Sequence, residues 1–199
     1  NQTVPPITGS AVGKSVWDVD GMDKTGGRLK FCDDYTAGDI GADTLLHGAF
    51  VWAPVPHAKI NAVDYAAAEQ AEGVVRIVTA ADVPGMNKMG TWTPEQPVFC
   101  TDEVNFLGDH LALVVADTVE HARAAAKLVR IDYEELPGIY TMADGYRKNS
   151  FIVHTGRKSG DVEQAKQQPD IVKINVSKEI EPQEHACMEP VSAIGMVQD

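Results

Sequence analysis

The 199-residue sequence is poor in cysteine, in basic side chains and in long apolar runs. Its cysteines, Cys32, Cys100 and Cys187, form no C-x-x-C pair, so neither a disulfide framework nor a zinc ribbon is indicated. Lysine and arginine total 17 against 29 acidic residues, and the formal net charge of -12 disfavours nucleic acid as a partner. No apolar run approaches the roughly 18 residues that span a bilayer, and the N-terminus lacks a signal-peptide pattern. We therefore expect a soluble, cytoplasmic protein with no membrane partner.

What the sequence does contain is an ordinary globular composition, with 44% apolar and 23% charged residue types. This composition and length are sufficient for one domain with a hydrophobic core. Apolar residues that alternate with polar ones, or that form short continuous runs, predict β-strands. These segments are residues 28–32, 46–52, 58–63, 74–78, 111–116 and 129–133.

Helices are predicted between the strands, where good helix formers follow capping residues. Residues 65–72 are rich in Ala and Glu and precede Gly73, where a left-handed C-terminal cap is expected. Asp117 and Glu120 have the spacing of a capping box, which predicts a helix that begins at Asp117. Thr141 and Asp161 indicate two further short helices. Residues 1–25 and 84–97 are rich in Pro and Gly and are predicted to form an extended lead-in and a loop.

The C-terminal part of the sequence alternates again. Val172, Ile174 and Val176 are separated by polar residues, which predicts a long strand, and residues 191–197 predict another. The second strand has no following segment that could cover it, so we expect an exposed sheet edge and a fold that continues elsewhere.

A series of motifs along nearly the whole chain resembles the molybdenum hydroxylases of the xanthine dehydrogenase and aldehyde oxidase family. The motifs are Phe31-Cys32-Asp33-Asp34, His57-Ala58-Lys59-Ile60, Ala80-Ala81-Asp82-Val83-Pro84-Gly85, Val114-Val115-Ala116-Asp117, Tyr133-Glu134-Glu135-Leu136-Pro137 and Gln183-Glu184-His185. The resemblance implies an α+β fold, the alpha/beta hammerhead, with a mixed sheet, two or three packed helices and a long-strand C-terminal extension. It implies a lead-in over 1–14, the hammerhead over 15–140, a linker with a partial helix over 141–169, and the truncated start of the molybdopterin-binding domain over 170–199.

The same resemblance implies a portion of an oxidoreductase that hydroxylates an aldehyde or an N-heterocycle with a molybdopterin-bound molybdenum. The family's general base lies further along its chain, so we expect this portion to be inactive alone and to contain no catalytic residue. The implied partners are the remainder of the molybdenum subunit and the iron-sulfur and FAD domains or subunits. The substrate contacts of the family also lie outside this sequence.

Gln183 is the one position that maps onto a cofactor contact of the family. An amide can donate a hydrogen bond to an oxo ligand without a charge that titrates, so its chemistry suits that role. From spacing alone, Gln183 is more simply a polar residue at a strand end. The resemblance favours the cofactor contact.

Other candidate sites in the sequence are weaker. His185 and Cys187 would share a strand face and could bind zinc, but two ligands are an incomplete set, and we expect no metal ligand. Glu134 and Glu135 are adjacent in a strand and face opposite ways, which excludes a catalytic dyad. The alternative to an enzyme portion is a stand-alone module that forms a homodimer through its exposed C-terminal strand. A small metal-binding protein that uses His185 and Cys187 is the weakest hypothesis.

Overall fold

The computed structural model describes residues 9, 12–90 and 95–196. It divides into two compact units, residues 45–175 and residues 1–44 with 176–199. All the strands that the described residues form belong to the unit 45–175. No helix of the described residues is both long and apolar enough to cross a membrane.

The first sheet of the unit 45–175 has three strands in the order β1-β5-β3. These are β1 (His47–Trp52), β3 (Val74–Val78) and β5 (His110–Ala116). Both pairings are antiparallel, with Phe50 opposite Leu113 and Ile77 opposite Val114. The apolar run of β5 is explained by its central position, because Leu111, Ala112, Val114 and Ala116 are all buried.

The second sheet also has three strands, in the order β4-β2-β6. These are β2 (Ala58–Asp64), β4 (Glu103–Val104) and β6 (Arg130–Glu135). Ala58 pairs with both neighbours, opposite Val104 in β4 and opposite Glu135 in β6. The expected α+β class is therefore found as two small sheets with few helices, and each described pairing between named strands is antiparallel.

Helix α3 (Val119–Ala126) packs against the first sheet with Ala122 and Ala125 fully buried. The predicted capping box at Asp117 is wrong by one residue. The N-cap is Thr118, whose backbone is extended and whose hydroxyl oxygen accepts a hydrogen bond from His121 N. Asp117 is the first residue after β5, and its carboxylate instead contacts the His121 ring.

Two shorter features of this unit follow the sequence closely. Helix α2 (Ala66–Glu69) lies inside the predicted segment, and Gly73 has the expected left-handed backbone with φ 74°. In the predicted loop, the Asn87 amide donates to Phe99 O at 2.7 Å and accepts from Phe99 N at 3.0 Å. Residues 91–94 of the predicted loop lie outside the described residues.

The unit formed by residues 1–44 and 176–199 differs from the expectation. Helix α1 (Gly21–Thr25) interrupts the predicted lead-in. Residues 28–32 form no strand, and Cys32–Asp34 and Ala37–Ile40 are short 3-10 helices. The Asp34 and Asp39 carboxylates accept hydrogen bonds from Phe31 N and Thr36 N, which favours tight turns over an extended strand.

The predicted long-strand C-terminal extension is not formed. Helices α4 (Met142–Arg147) and α5 (Val162–Lys166) begin at their predicted caps, Thr141 and Asp161. After them, residues 171–196 contain neither helix nor strand and are all exposed. Alternation makes a segment compatible with a sheet, but a strand also needs a partner backbone, and no described residue supplies one here. Val197 lies outside the described residues.

Candidate functional site

Gln183, the expected cofactor contact, lies in the exposed segment 171–196. No described residue forms a hydrogen bond with its amide. Close to Gln183 in the sequence, Ala186 N donates a hydrogen bond to the Glu184 carboxylate at 3.2 Å. The amide has suitable donor chemistry for an oxo ligand, but one exposed donor does not enclose a cofactor. The described residues therefore do not fit molybdopterin by themselves, and no reaction step follows from their geometry.

The other candidate residues from the sequence also form no site. His185 and Cys187 are exposed, and the described residues contain no group of three or more side chains that could hold a metal ion. Glu134 and Glu135 lie in β6, opposite Lys59 and Ala58 of β2, and both are exposed. Their positions agree with a solvated strand rather than with a reactive pair of carboxyl groups.

A histidine that the sequence did not single out as a site connects the ends of the second sheet. His57 precedes β2, and its Nδ1 lies 3.0 Å from Pro137 O while its Nε2 lies 3.0 Å from a Glu103 carboxylate oxygen. Both partners are acceptors, so both contacts are satisfied together only by the doubly protonated ring. The Pro137 carbonyl first and the Glu103 carboxylate second raise the pKa of His57 above its ordinary value, while burial and Lys148 oppose this shift.

Another histidine–carboxylate pair lies where β5 ends and where β3 and α3 begin. The His121 Nδ1 lies 2.6 Å from an Asp117 carboxylate oxygen, which raises the pKa of His121 and lowers that of Asp117. Asp117 N also donates to Gly73 O at 3.0 Å. A side chain at Gly73 would meet both Asp117 and His121, so the glycine is required by space as well as by its positive φ.

Cys100 is buried beside Asp109, which is itself 3% exposed. The Asp109 carboxylate accepts hydrogen bonds from Asn105 N at 2.7 Å and from Phe106 N at 3.3 Å. Burial, with a smaller contribution from Asp109, raises the pKa of the Cys100 thiol to about 12. A thiol of this kind is protonated and structural rather than nucleophilic.

A groove of about 510 Å³ lies beside β1 in the unit 45–175. We name it the β1 groove and define it by its lining residues, Gly48, Ala49, Phe50, Val51, Trp52, Arg123, Ala126, Lys127, Val129 and Ile131. Phe50 and Trp52 are 41% and 53% exposed, so the groove presents two large aromatic side chains to solvent. The His110 ring stacks on Phe50 at 4.1 Å and lies 4.6 Å from Trp52 between ring centroids.

Sequence reasoning missed this groove, although two signals were present. Phe50 and Trp52 are two residues apart in a predicted strand and therefore share a face. Arg123 and Lys127 are four residues apart in a predicted helix and therefore share a face as well. What the sequence did not show is that the two elements meet.

Comparison with family models gives a match over residues 26–137 to the family described as "Aldehyde oxidase and xanthine dehydrogenase, a/b hammerhead domain". The matched span contains both three-stranded sheets and α3. It ends at Pro137, whose carbonyl contacts His57.

Individual relatives agree with that family. The chain is 34% identical over 188 residues to a probable xanthine dehydrogenase subunit of Bacillus subtilis (strain 168), covering 90% of this chain and 24% of that protein. It is 32% identical over 169 residues to "Nicotinate dehydrogenase large molybdopterin subunit" of Eubacterium barkeri, covering 81% of this chain and 39% of that protein. The crystal structure of the aldehyde oxidoreductase from Desulfovibrio desulfuricans matches with a TM-score of 0.65 and 28% identity, over 79% of this chain and 19% of that chain.

Proposed function

Because the chain belongs to the aldehyde oxidase and xanthine dehydrogenase family through its a/b hammerhead domain, we propose that it is the non-catalytic hammerhead portion of a larger molybdenum-dependent oxidoreductase. The observation that carries this proposal is the family match over residues 26–137, a span that contains both three-stranded sheets. The chain spans 24% and 39% of the two relatives described above, so the activity of the whole protein is part of the proposal.

The proposed reaction of the complete enzyme is the hydroxylation of an aldehyde or an N-heterocycle. It is supported by the names of the relatives, which include an aldehyde oxidoreductase and a nicotinate dehydrogenase with a molybdopterin subunit. The proposed partners are the remainder of the molybdenum subunit and the iron-sulfur and FAD domains or subunits. The Bacillus subtilis relative is itself named as one subunit of a dehydrogenase, which is consistent with assembly from several chains.

We further propose the domain boundaries that the sequence suggested, with the hammerhead over 15–140, a linker over 141–169 and the start of the molybdopterin-binding domain over 170–199. Within the last segment, Gln183 is proposed to contact the molybdenum cofactor once the rest of the subunit surrounds it. The exposure of residues 171–196 supports this proposal, because their apolar side chains have no described cover.

The test is assembly. The chain is co-expressed with a second chain that supplies the remainder of the molybdenum subunit, and molybdenum is measured in the purified protein by mass spectrometry. We expect the metal to co-purify with the pair and to be absent from this chain expressed alone. Absence of a stable pair, or a pair without molybdenum, would contradict the proposal.

The role of Gln183 has its own measurement in the same pair. Loss of a hydrogen bond that orients a metal's ligand typically costs about 10–100-fold in activity or metal affinity. We expect Gln183→Ala to lower the rate of aldehyde or N-heterocycle oxidation by about that factor. Gln168→Ala, at an exposed glutamine shortly after α5, is the matched control and should leave the rate unchanged. Equal rates for the two variants would remove Gln183 from the site.

The rival function is a stand-alone, self-associating module. It predicts a symmetric dimer of the chain in the absence of any other subunit, in which the apolar segment after Pro190 pairs as a strand with its own copy. A mass measurement of the purified chain at high concentration distinguishes the two, because a monomer contradicts the rival. The weakest hypothesis, a metal site at His185 and Cys187, would be contradicted by an elemental analysis that finds no bound metal.

A further inference from the structure

Strand β1 is an open edge of its sheet. In the order β1-β5-β3 its one neighbour is β5, and within the described residues β1 forms no backbone hydrogen bond to any other element. Its outer N–H and C=O groups are therefore a template on which another strand can pair. Proteins often protect such an open edge with proline or lysine, and the segment His47–Trp52 has neither.

The β1 groove runs along this edge. Five consecutive residues of β1, from Gly48 to Trp52, line it. Successive side chains of a strand point to opposite faces, so a groove on one face would contact only every second residue. Because all five residues line the groove, it follows the backbone edge of β1. The opposite wall is formed by the C-terminal end of α3 and by Val129 and Ile131, around the start of β6. Strand β6 is an edge strand of the second sheet.

The two faces of the edge differ in chemistry. Phe50 and Trp52 are exposed on one face, whereas Val51 points to the other, which is covered by α3, and is buried. On the α3 side the groove is lined by Arg123 and Lys127. An extended segment laid along β1 would therefore meet aromatic surface with alternate side chains and cationic groups with the others.

The cationic wall is available for a new partner. Arg123 and Lys127 are exposed, and no carboxylate of the described residues lies within ion-pair distance of either. They form a local basic patch on a chain whose net charge is -12. A second copy that paired through its own β1 would offer no carboxylate to Arg123 and Lys127, because His47–Trp52 contains none.

We propose that the β1 groove is a docking site for a partner polypeptide that adds an extended segment to β1. The segment alternates apolar and acidic side chains, with the apolar ones against Phe50 and Trp52 and the carboxylates toward Arg123 and Lys127. The backbone ladder provides affinity, and the alternation provides specificity, as in other cases of strand addition. The inference stands independently of the molybdenum chemistry, because it uses only the edge, the groove and the charges.

The experiment uses the 199-residue chain and three synthetic peptides of about ten residues, a usual strand length. The first alternates Val and Glu, the second alternates Val and Lys, and the third is the Val-Glu peptide with N-methyl groups on alternate residues. Binding is measured by calorimetry, and the amides that become protected are identified by hydrogen exchange. We expect the Val-Glu peptide to bind at least about tenfold more tightly than the other two and to protect amides of His47–Trp52.

Matched variants locate the binding. Arg123→Glu and Lys127→Glu should each weaken binding of the Val-Glu peptide by about tenfold. Arg157→Glu, which reverses an exposed charge that does not line the groove, should leave it unchanged. Equal binding of the Val-Lys peptide, insensitivity to N-methylation, or an equal effect of Arg157→Glu would overturn the proposal. A chain that dimerises through β1 and excludes the peptide would make a second copy the occupant and would overturn it as well.

Discussion

At the scale of single residues, His57 shows how one side chain can connect elements that are distant in sequence. It joins the start of β2 to Glu103 of β4 and to Pro137 beyond β6, and both contacts require ring protons. The folded state therefore favours the imidazolium form, and protonation of His57 is linked to folding. Glu103 is half exposed, so the contribution to stability is modest.

We predict that the stability lost in His57→Gln depends on pH. The pKa of His57 is raised in the folded state, so its contribution is complete below the unfolded value of about 6.5 and is lost as pH rises through the folded value. Urea unfolding of the wild type and the variant should differ by about 1 kcal/mol near pH 5 and by less near pH 9. His185→Gln, at an exposed histidine without a described hydrogen bond, is the control. A difference that grows with pH would contradict the assignment.

The three cysteines should differ sharply in reactivity. Cys187 is exposed, Cys32 is intermediate, and Cys100 is buried with its pKa raised to about 12 by burial and by Asp109. Since the thiolate is the reactive form, iodoacetamide at about pH 8 should modify Cys187 first and spare Cys100. Peptide mass spectrometry over time measures the order, and the denatured chain, in which all three react, is the control. Modification of Cys100 at the rate of Cys187 in the folded chain would exclude the buried environment described above.

At the scale of elements, the sequence predicted best where local pattern and tertiary position agree. The runs that became β1, β2, β3, β5 and β6 were all foreseen, because strands in a core carry their own apolar pattern. The caps Thr141 and Asp161 were also predicted, because a cap depends on residues that are only three positions apart in the sequence. Residues 28–32 and 172–176 have the same alternation but no partner strand, and a one-dimensional pattern does not contain that information.

The candidate site was less predictable than the fold. Gln183 was singled out by resemblance alone, and in the described structure it is exposed and its amide forms no hydrogen bond. The β1 groove was not predicted because its walls come from segments about 70 residues apart in the sequence. Asp117 was assigned as a cap because its spacing to Glu120 is correct, yet Thr118, one residue later, has the extended backbone that a cap requires.

The contribution of the central strand β5 to the core can be tested with two leucine variants. Leu111 is 2% exposed between the two neighbouring strands, so Leu111→Ala leaves a cavity and should cost about 2–5 kcal/mol of unfolding free energy. Leu107→Ala, at a leucine that is 58% exposed four residues earlier, should change stability by less than about 0.5 kcal/mol. Chemical unfolding with linear extrapolation measures both. Similar losses in the two variants would place Leu111 outside the core.

At the scale of the whole molecule, order is concentrated in residues 45–175. This unit contains both described sheets, α3 and the buried core, whereas the described residues after it expose Val176, Ile180, Val191 and other apolar side chains. Under the proposed function, these side chains are buried against the remainder of a molybdenum subunit, since large exposed apolar surfaces mark interaction sites. This expectation links the α+β fold to the proposed assembly with the remainder of a molybdenum subunit.

Hydrogen exchange tests that link directly. In the isolated chain, the amides of residues 171–196 should exchange at nearly unprotected rates, because none lies in a described helix or strand. Amides of β5 should be protected by a factor on the order of a thousand or more, since they open only with the core. When the remainder of the molybdenum subunit is present, protection should appear around Gln183 while that of β5 is unchanged. If residues 171–196 are already protected in the isolated chain, they form structure of their own, and the proposed completion by another protein segment is contradicted.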